Sequence, residues 1–399
     1  MQNPQSTAMQ SLNSETRRLY VLFLAGFMIF GILFTIIGAA LPQIIRAFHW
    51  SYALTGVVLA ANAIGYFLST FLCGFLVQRF PPRTVLVAGL LLIAICLLFF
   101  MRGSSPWLNL VLNLLIGLGQ GAIEVVTNLE VIHMERKGQS RLLNLLHAAF
   151  SVGAIVGPTA VGILIGAGLR GTIVFLAAAG PVVLMALLFG TARFPRLAQE
   201  DEHGKRQGLR LLRSPILLLL TLFLLLYVGA ELGVSTWVSE YFVKVLSTAA
   251  STGAYSVSLF WMGLFAGRLG VSVLYRGTHQ EYLLLGLSLL SAVALGFVLL
   301  VSSTAAVAVG VFLTGLGLSA LYPLVMAMVG RYFKSGFAVG TVATGGGLGS
   351  FTFPFLMAVV SESIGLRGGF WFYLGLTFLL VVLSLAIVTV AKRTPAARA

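Results

Sequence analysis

The chain has 399 residues, of which 59% are apolar and 9% charged, and its net charge is +14. A soluble domain carries about 25% charged residues, so this chain cannot coat a globule with a water-compatible surface, and its outer solvent must be lipid. The basic excess is scattered between apolar runs and forms no single patch, which argues against a nucleic-acid partner.

A helix crosses the hydrocarbon with about 20 apolar residues. Twelve runs of that kind follow one another, at 19–46, 53–78, 84–101, 107–133, 142–168, 172–192, 215–243, 253–275, 280–302, 304–330, 337–361 and 367–391. The stretch Met1 to Arg18 is polar and has no apolar core, so no cleavable signal peptide is expected. Barrel strands are excluded by the length of the runs and by the missing period-two alternation. The expected fold class is an all-α polytopic membrane protein with twelve transmembrane helices.

In chain order, the first run holds no acidic residue. The second offers Asn62 and Tyr66, and the turn after it reads GFLVQRFPPR, from Gly74 to Arg83. Arg79 and Arg83 are candidate gating residues there. An ion pair at this turn must use a carboxylate from elsewhere, with Glu130 and Glu135 the candidates. Cys73 and Cys96 lie inside apolar runs with no metal or disulfide spacing.

A charge at mid-bilayer costs at least about 2.5–3.5 kcal/mol and needs a partner, a cavity or a proton. Glu124 in the fourth run is such a charge, and Asn128 shares its face at i+4. The fifth run sets Asn144, His147 and Ser151 on one face. After a polar stretch at 193–214, the seventh run carries Tyr227, Glu231 and Ser235 on one face, with Trp237 beyond. The eighth brings Phe260, Trp261 and Arg268, the one cation inside a span. The tenth adds Ser319 and Tyr322. Hydroxyls, amides, a carboxylate and aromatic faces together suit a polyhydroxylated neutral ligand, because each ligand hydroxyl then finds a partner when its water is stripped. A plainer role stands beside each. Asn62 and Asn144 serve equally well as interhelical glue, Tyr66, Tyr227 and Trp237 as packing, and His147 as a neutral interior histidine. Arg268 has three readings: it neutralises Glu231, it neutralises another glutamate, or it forms part of a cytoplasmic gate.

Lys and Arg accumulate on the cytoplasmic side of membrane proteins. With the N-terminus inside, nineteen of the 25 fall on the inner side, five on the outer and Arg268 within a span. Both termini are therefore expected in the cytoplasm and the chain in the inner membrane. The sequence also repeats. LIGLGQGAIEVVTN, from Leu115, aligns with LTGLGLSALYPLVM, from Leu313, and Gly153 precedes Pro158 by the same five residues that separate Gly349 from Pro354. Two six-helix halves, 1–192 and 215–399, joined by a cytoplasmic linker at 193–214, are the architecture of major facilitator transporters. The Gly74–Arg83 turn resembles that family's loop motif, with Gln78 in place of its acidic residue and Pro81–Pro82 in place of its Gly-Arg pair.

GQGAIEVVTN, with Glu124 four residues before Asn128, resembles the fourth helix of the fucose:proton symporter family. NLLHAAFSVGAIVGP, from Asn144 to Pro158, resembles its fifth. YVGAELGVSTW and SVSLFWMGLFAGR are similar to the seventh and eighth helices of its bacterial glucose/mannose branch. The resemblance implies a major facilitator fold, a sugar substrate and proton coupling. It makes Glu124 the proton carrier or a sugar ligand, with His147 and Glu231 as further coupling candidates. The fucose permease places an aspartate in the first helix four residues before a proline. Measured back from Pro42, that position is Gly38, so a two-carboxylate relay of that kind is missing. The expected partners are a sugar, a proton and the lipid bilayer, with a monomer sufficient and no cofactor. An exporter of drugs or lipids and an uncoupled sugar facilitator are the alternatives. Enzyme signatures are missing: there is no phosphate loop, metal cluster or Ser-His-Asp set.

Overall fold

The computed structural model describes residues 14–135, 141–194, 211–275, 279–333 and 335–393. Most of the expected linker lies outside these residues, as do Arg136, Lys137, Arg276 and Lys334 of the inner-side cations. Among the described residues, eleven helices are long and apolar enough to cross a membrane. They are α1 Ser14–Phe48, α2 Tyr52–Arg79, α3 Pro82–Phe99, α4 Pro106–Met134, α5 Arg141–Gly166, α6 Ile173–Thr191, α7 Pro215–Lys244, α8 Ala250–Leu274, α9 Gln280–Leu300, α10 Thr304–Phe333 and α11 Gly336–Arg393.

Local chemistry sets several of these boundaries. Proline stands in the first turn of α3, α4 and α7, where its missing N–H is an orphan in any case. Ser105 also caps α4 by accepting from the Leu108 N–H. At the other extreme, α11 is 58 residues long, about 87 Å if straight, against a hydrocarbon core of about 30 Å. It is not straight. Gly365 takes φ 78°, ψ 163°, a region open essentially to glycine alone. The chain doubles back there, so that Gly369 lies against Ser361 and Met357. The two arms of α11 account for the eleventh and twelfth apolar runs.

By its internal contacts the chain forms two compact units. One is Met1–Phe48 with Ala61–Glu200, the other His49–Ala60 with Asp201–Ala399. Within the first unit α1 packs on α5 through glycine: an added Cβ on Gly153 would overlap the Met28 carbonyl. Within the second, α7 packs on α11 in the same way, and a Cβ on Gly349 would overlap the Leu225 carbonyl. The other repeat-matched pair behaves likewise. Gly117 of α4 touches the Asn62 carbonyl of α2, and Gly315 of α10 touches the Phe260 carbonyl of α8. Helices in lipid gain little from apolar burial against each other, so this backbone-to-backbone contact is what holds such pairs. Cys73 and Cys96 are both buried and free.

Candidate functional site

The second unit gathers a connected polar cluster from α7, α8 and α10. Its logic begins with Pro323. A proline has no N–H, so the carbonyl four residues earlier loses its helical donor. That carbonyl belongs to Ser319, at the interruption between Thr304–Leu318 and Leu321–Phe333. The Arg268 Nε–H of α8 donates to it at 3.0 Å. The same guanidinium meets the Glu231 carboxylate of α7 at 3.6 Å, with the Glu231 side chain 8% exposed and that of Arg268 32%. Tyr227, one turn before Glu231, is fully buried and within electrostatic reach of both charges. Ser235, one turn after, accepts from the Trp261 indole N–H at 2.7 Å. Phe260 is buried and meets Trp261 edge to face. Trp237 stands apart from this cluster, its ring against that of Tyr52 at 5.7 Å. Tyr322 is exposed.

The first unit holds a different arrangement. Glu124 of α4 is half-buried and forms no ion pair among the described residues. One turn on, the Asn128 amide oxygen is buried with no hydrogen-bond partner among the described residues. Asn144 and His147 are exposed on α5, and the Ser151 hydroxyl is spent on the His147 carbonyl at 3.1 Å. His147 meets Phe27 edge to face, and Phe27, Phe30, Phe34 and Phe150 form a ring cluster on which Tyr66 stacks through Phe30. Asn62 donates to Asn113, to both its backbone and its side-chain oxygen at 3.2 Å, and so ties α2 to α4. The phenylalanine cluster and the partner Asn113 were not singled out from sequence. Apolar spans contain many phenylalanines, and nothing in their spacing across two helices marks these four.

At the turn after α2, neither candidate carboxylate, Glu130 or Glu135, forms an ion pair among the described residues. Arg79 and Arg83 are exposed and pair with no carboxylate among the described residues. Glu135 instead accepts from the Leu142 N–H at 2.7 Å and so helps start α5. Glu130 is fully buried, and neither of its oxygens has a hydrogen-bond partner among the described residues. Arg268, by contrast, has its partner in Glu231.

Apolar helices in bundles, with ionisable and amide groups held inside the packing, define a polytopic membrane protein. The chain matches the Major Facilitator Superfamily over residues 22–303 and 252–399. It belongs to that family, which is one of membrane transporters and not of enzymes. An uncharacterized MFS-type transporter of Yersinia pestis is 24% identical over 80% of this chain and 82% of its own length. The solved structure of a bacterial homolog of the human lysosomal transporter Spinster superposes with a TM-score of 0.79 at 14% identity, covering 95% of this chain and 98% of its own. The Escherichia coli fucose:proton symporter superposes with a TM-score of 0.64 at 19% identity, covering 94% and 99%. These likenesses establish the fold.

Proposed function

We propose that the chain is a secondary transporter that takes up a hexose such as glucose or mannose together with a proton, by alternating access, in the inner membrane with both termini cytoplasmic. The observation that carries this reading is the pair on α4. Among the described residues Glu124 has no cation, and one turn away Asn128 presents a buried amide oxygen without a hydrogen-bond partner there. A carboxyl without a counter-ion in low dielectric is suited to bind and release a proton, whereas Glu231 is already neutralised by Arg268. The Tyr227, Glu231, Ser235, Trp261 and Arg268 cluster supplies the directional donors and acceptors that a sugar's hydroxyls need.

Uptake of labelled hexose into proteoliposomes, with and without an imposed pH gradient, tests the reading. Accumulation should require the gradient. Glu124→Gln should abolish accumulation and keep binding. Asn128→Ala should weaken binding by roughly tenfold, since a lost buried hydrogen bond costs about 1–3 kcal/mol. Gradient-driven accumulation in Glu124→Gln would remove Glu124 from coupling.

A second reading, an exporter of lipids or hydrophobic drugs, is favoured by the Phe27, Phe30, Phe34 and Phe150 cluster around His147. Protection of the purified protein against heat by lipids or hydrophobic cations, and by no hexose, would replace the first reading with this one.

A further inference from the structure

Two helices of the second unit are tied at both ends of a seam and stand apart between. Between α9 and the arm of α11 that follows Gly365 lies an apolar slot of about 530 Å³. Leu289, Val293 and Gly296 wall one side of it, and Trp371, Gly375 and Val381 the other. At one end an Arg367 N–H donates to the Leu299 carbonyl at 2.6 Å. At the other the buried Ser288 and Ser384 hydroxyls share a hydrogen bond of 3.1 Å. Glycine opens the middle. A Cβ on Gly375 would meet nothing within 4 Å, and one on Gly296 only the Leu374 side chain at 3.8 Å. Leu289, Val293 and Trp371 are exposed, so the slot opens sideways, where a membrane protein meets lipid.

We propose that this slot holds one acyl chain of a bilayer phospholipid, with the lipid's phosphate on Arg367. The site needs only that these helices span a bilayer; its place in the outer leaflet follows from the orientation proposed above. Arg367 stands one turn before Trp371 on the same face of the arm. Its side chain is exposed and pairs with no carboxylate among the described residues. The Leu299 carbonyl, in the last turn of α9, has no intrahelical donor and pins the guanidinium at the mouth of the slot. The remaining N–H groups are left for an acceptor, and a phosphate fits their planar fork. Trp371 is of the residue type that settles at headgroup level. From Trp371 to Val381 the helix rises about 15 Å, half of a hydrocarbon core about 30 Å thick. The slot is therefore one leaflet deep, which matches a lipid chain and not a spanning helix. Charge also argues against a second copy of this chain. A two-fold axis along the membrane normal sets equal depths against each other, and it would bring two Arg367 side chains without carboxylates to one seam.

Native mass spectrometry of the purified protein with added phosphatidylglycerol reads the site. One lipid should stay bound to the unaltered chain. Arg367→Gln should weaken that binding by at least about tenfold, the loss expected for a charge-assisted hydrogen bond. Gly375→Leu, which fills the slot, should abolish it. Gly286→Leu, on α9 with open space at its Cβ but outside the slot, should keep it. A second readout needs no variant: phosphatidylglycerol carrying a diazirine midway along one chain should cross-link within 289–296 and 371–381. Cross-links spread evenly over the exposed helices, or binding unchanged in both slot variants, overturn the proposal. So does displacement of the lipid by inorganic phosphate with Gly375→Leu without effect, which leaves an anion site alone. A dimer mass that disappears in Gly375→Leu would give the slot to a second copy and overturn it too. No transport is measured, so the transport reading and the lipid site fail separately.

Discussion

Arg268 owes its position to a residue it does not touch. Pro323 frees the Ser319 carbonyl, and the guanidinium answers that carbonyl and Glu231 at once. Removing the arginine therefore strands an acceptor and a carboxylate together. For a buried pair the loss of one partner costs about 3–5 kcal/mol, and the third of the Arg268 side chain still exposed moves the expectation to the low end of that range. Arg268→Met should lower the melting temperature in detergent more than the Arg268→Met/Glu231→Gln double variant does. Additive losses in that cycle would mean that the two groups do not act as a pair. The sequence marks both charges as deep but cannot choose their partners, because the register of α7 against α8 is a tertiary fact. One cue was readable: a proline four residues after Ser319 announces an unfilled carbonyl. Asn128 and Asn62 are equally conspicuous in sequence, yet one has an unpartnered oxygen and the other bridges two helices. Only the packing separates them.

At the scale of elements, the glycines carry the pairing. Gly153 and Gly349 occupy matched positions in the repeat and do matched work, each admitting a neighbouring carbonyl where a methyl would overlap it. Gly153→Ala and Gly349→Ala should each destabilise the purified protein by about 1–3 kcal/mol, the cost of overpacking a filled contact. Gly286 of α9 has open space at its Cβ position, so Gly286→Ala should leave the melting point unchanged or raise it, given alanine's better helix propensity. Equal losses at all three sites would show that close approach is not what these glycines provide. The repeat was legible because both halves reuse one packing device at nearly one offset. The extents of the helices were less so. Apolar runs measure the length in lipid, whereas α1 begins at Ser14 and winds Arg17 and Arg18 into its first turns.

For the whole molecule, orientation rests on the unequal distribution of Lys and Arg. Single cysteines placed in the 193–214 linker should react with an impermeant maleimide in inside-out vesicles and not in intact cells. The reverse pattern would invert the proposed topology and put the Tyr52 end of α2 on the cytoplasmic side. Twelve crossings were readable from hydropathy alone. The sharing of α2 between two units was not, since Glu240 and Glu362, which bind the Tyr52 end of α2, look in sequence like ordinary polar residues near the ends of apolar runs.

Gly365 has a mechanical consequence. A loop between two spans works as slack rope: one span tilts and the other need not follow. The corner in α11 is a single residue, with helix on either side, and it behaves as an elbow. With no loop between them, the two arms have little slack, so a tilt of one is resisted by the other. Glu362 grips α2 three residues from that elbow. A pull on Glu362 is felt first at that pivot and passed into the last span, which makes that span a lever rather than a wall.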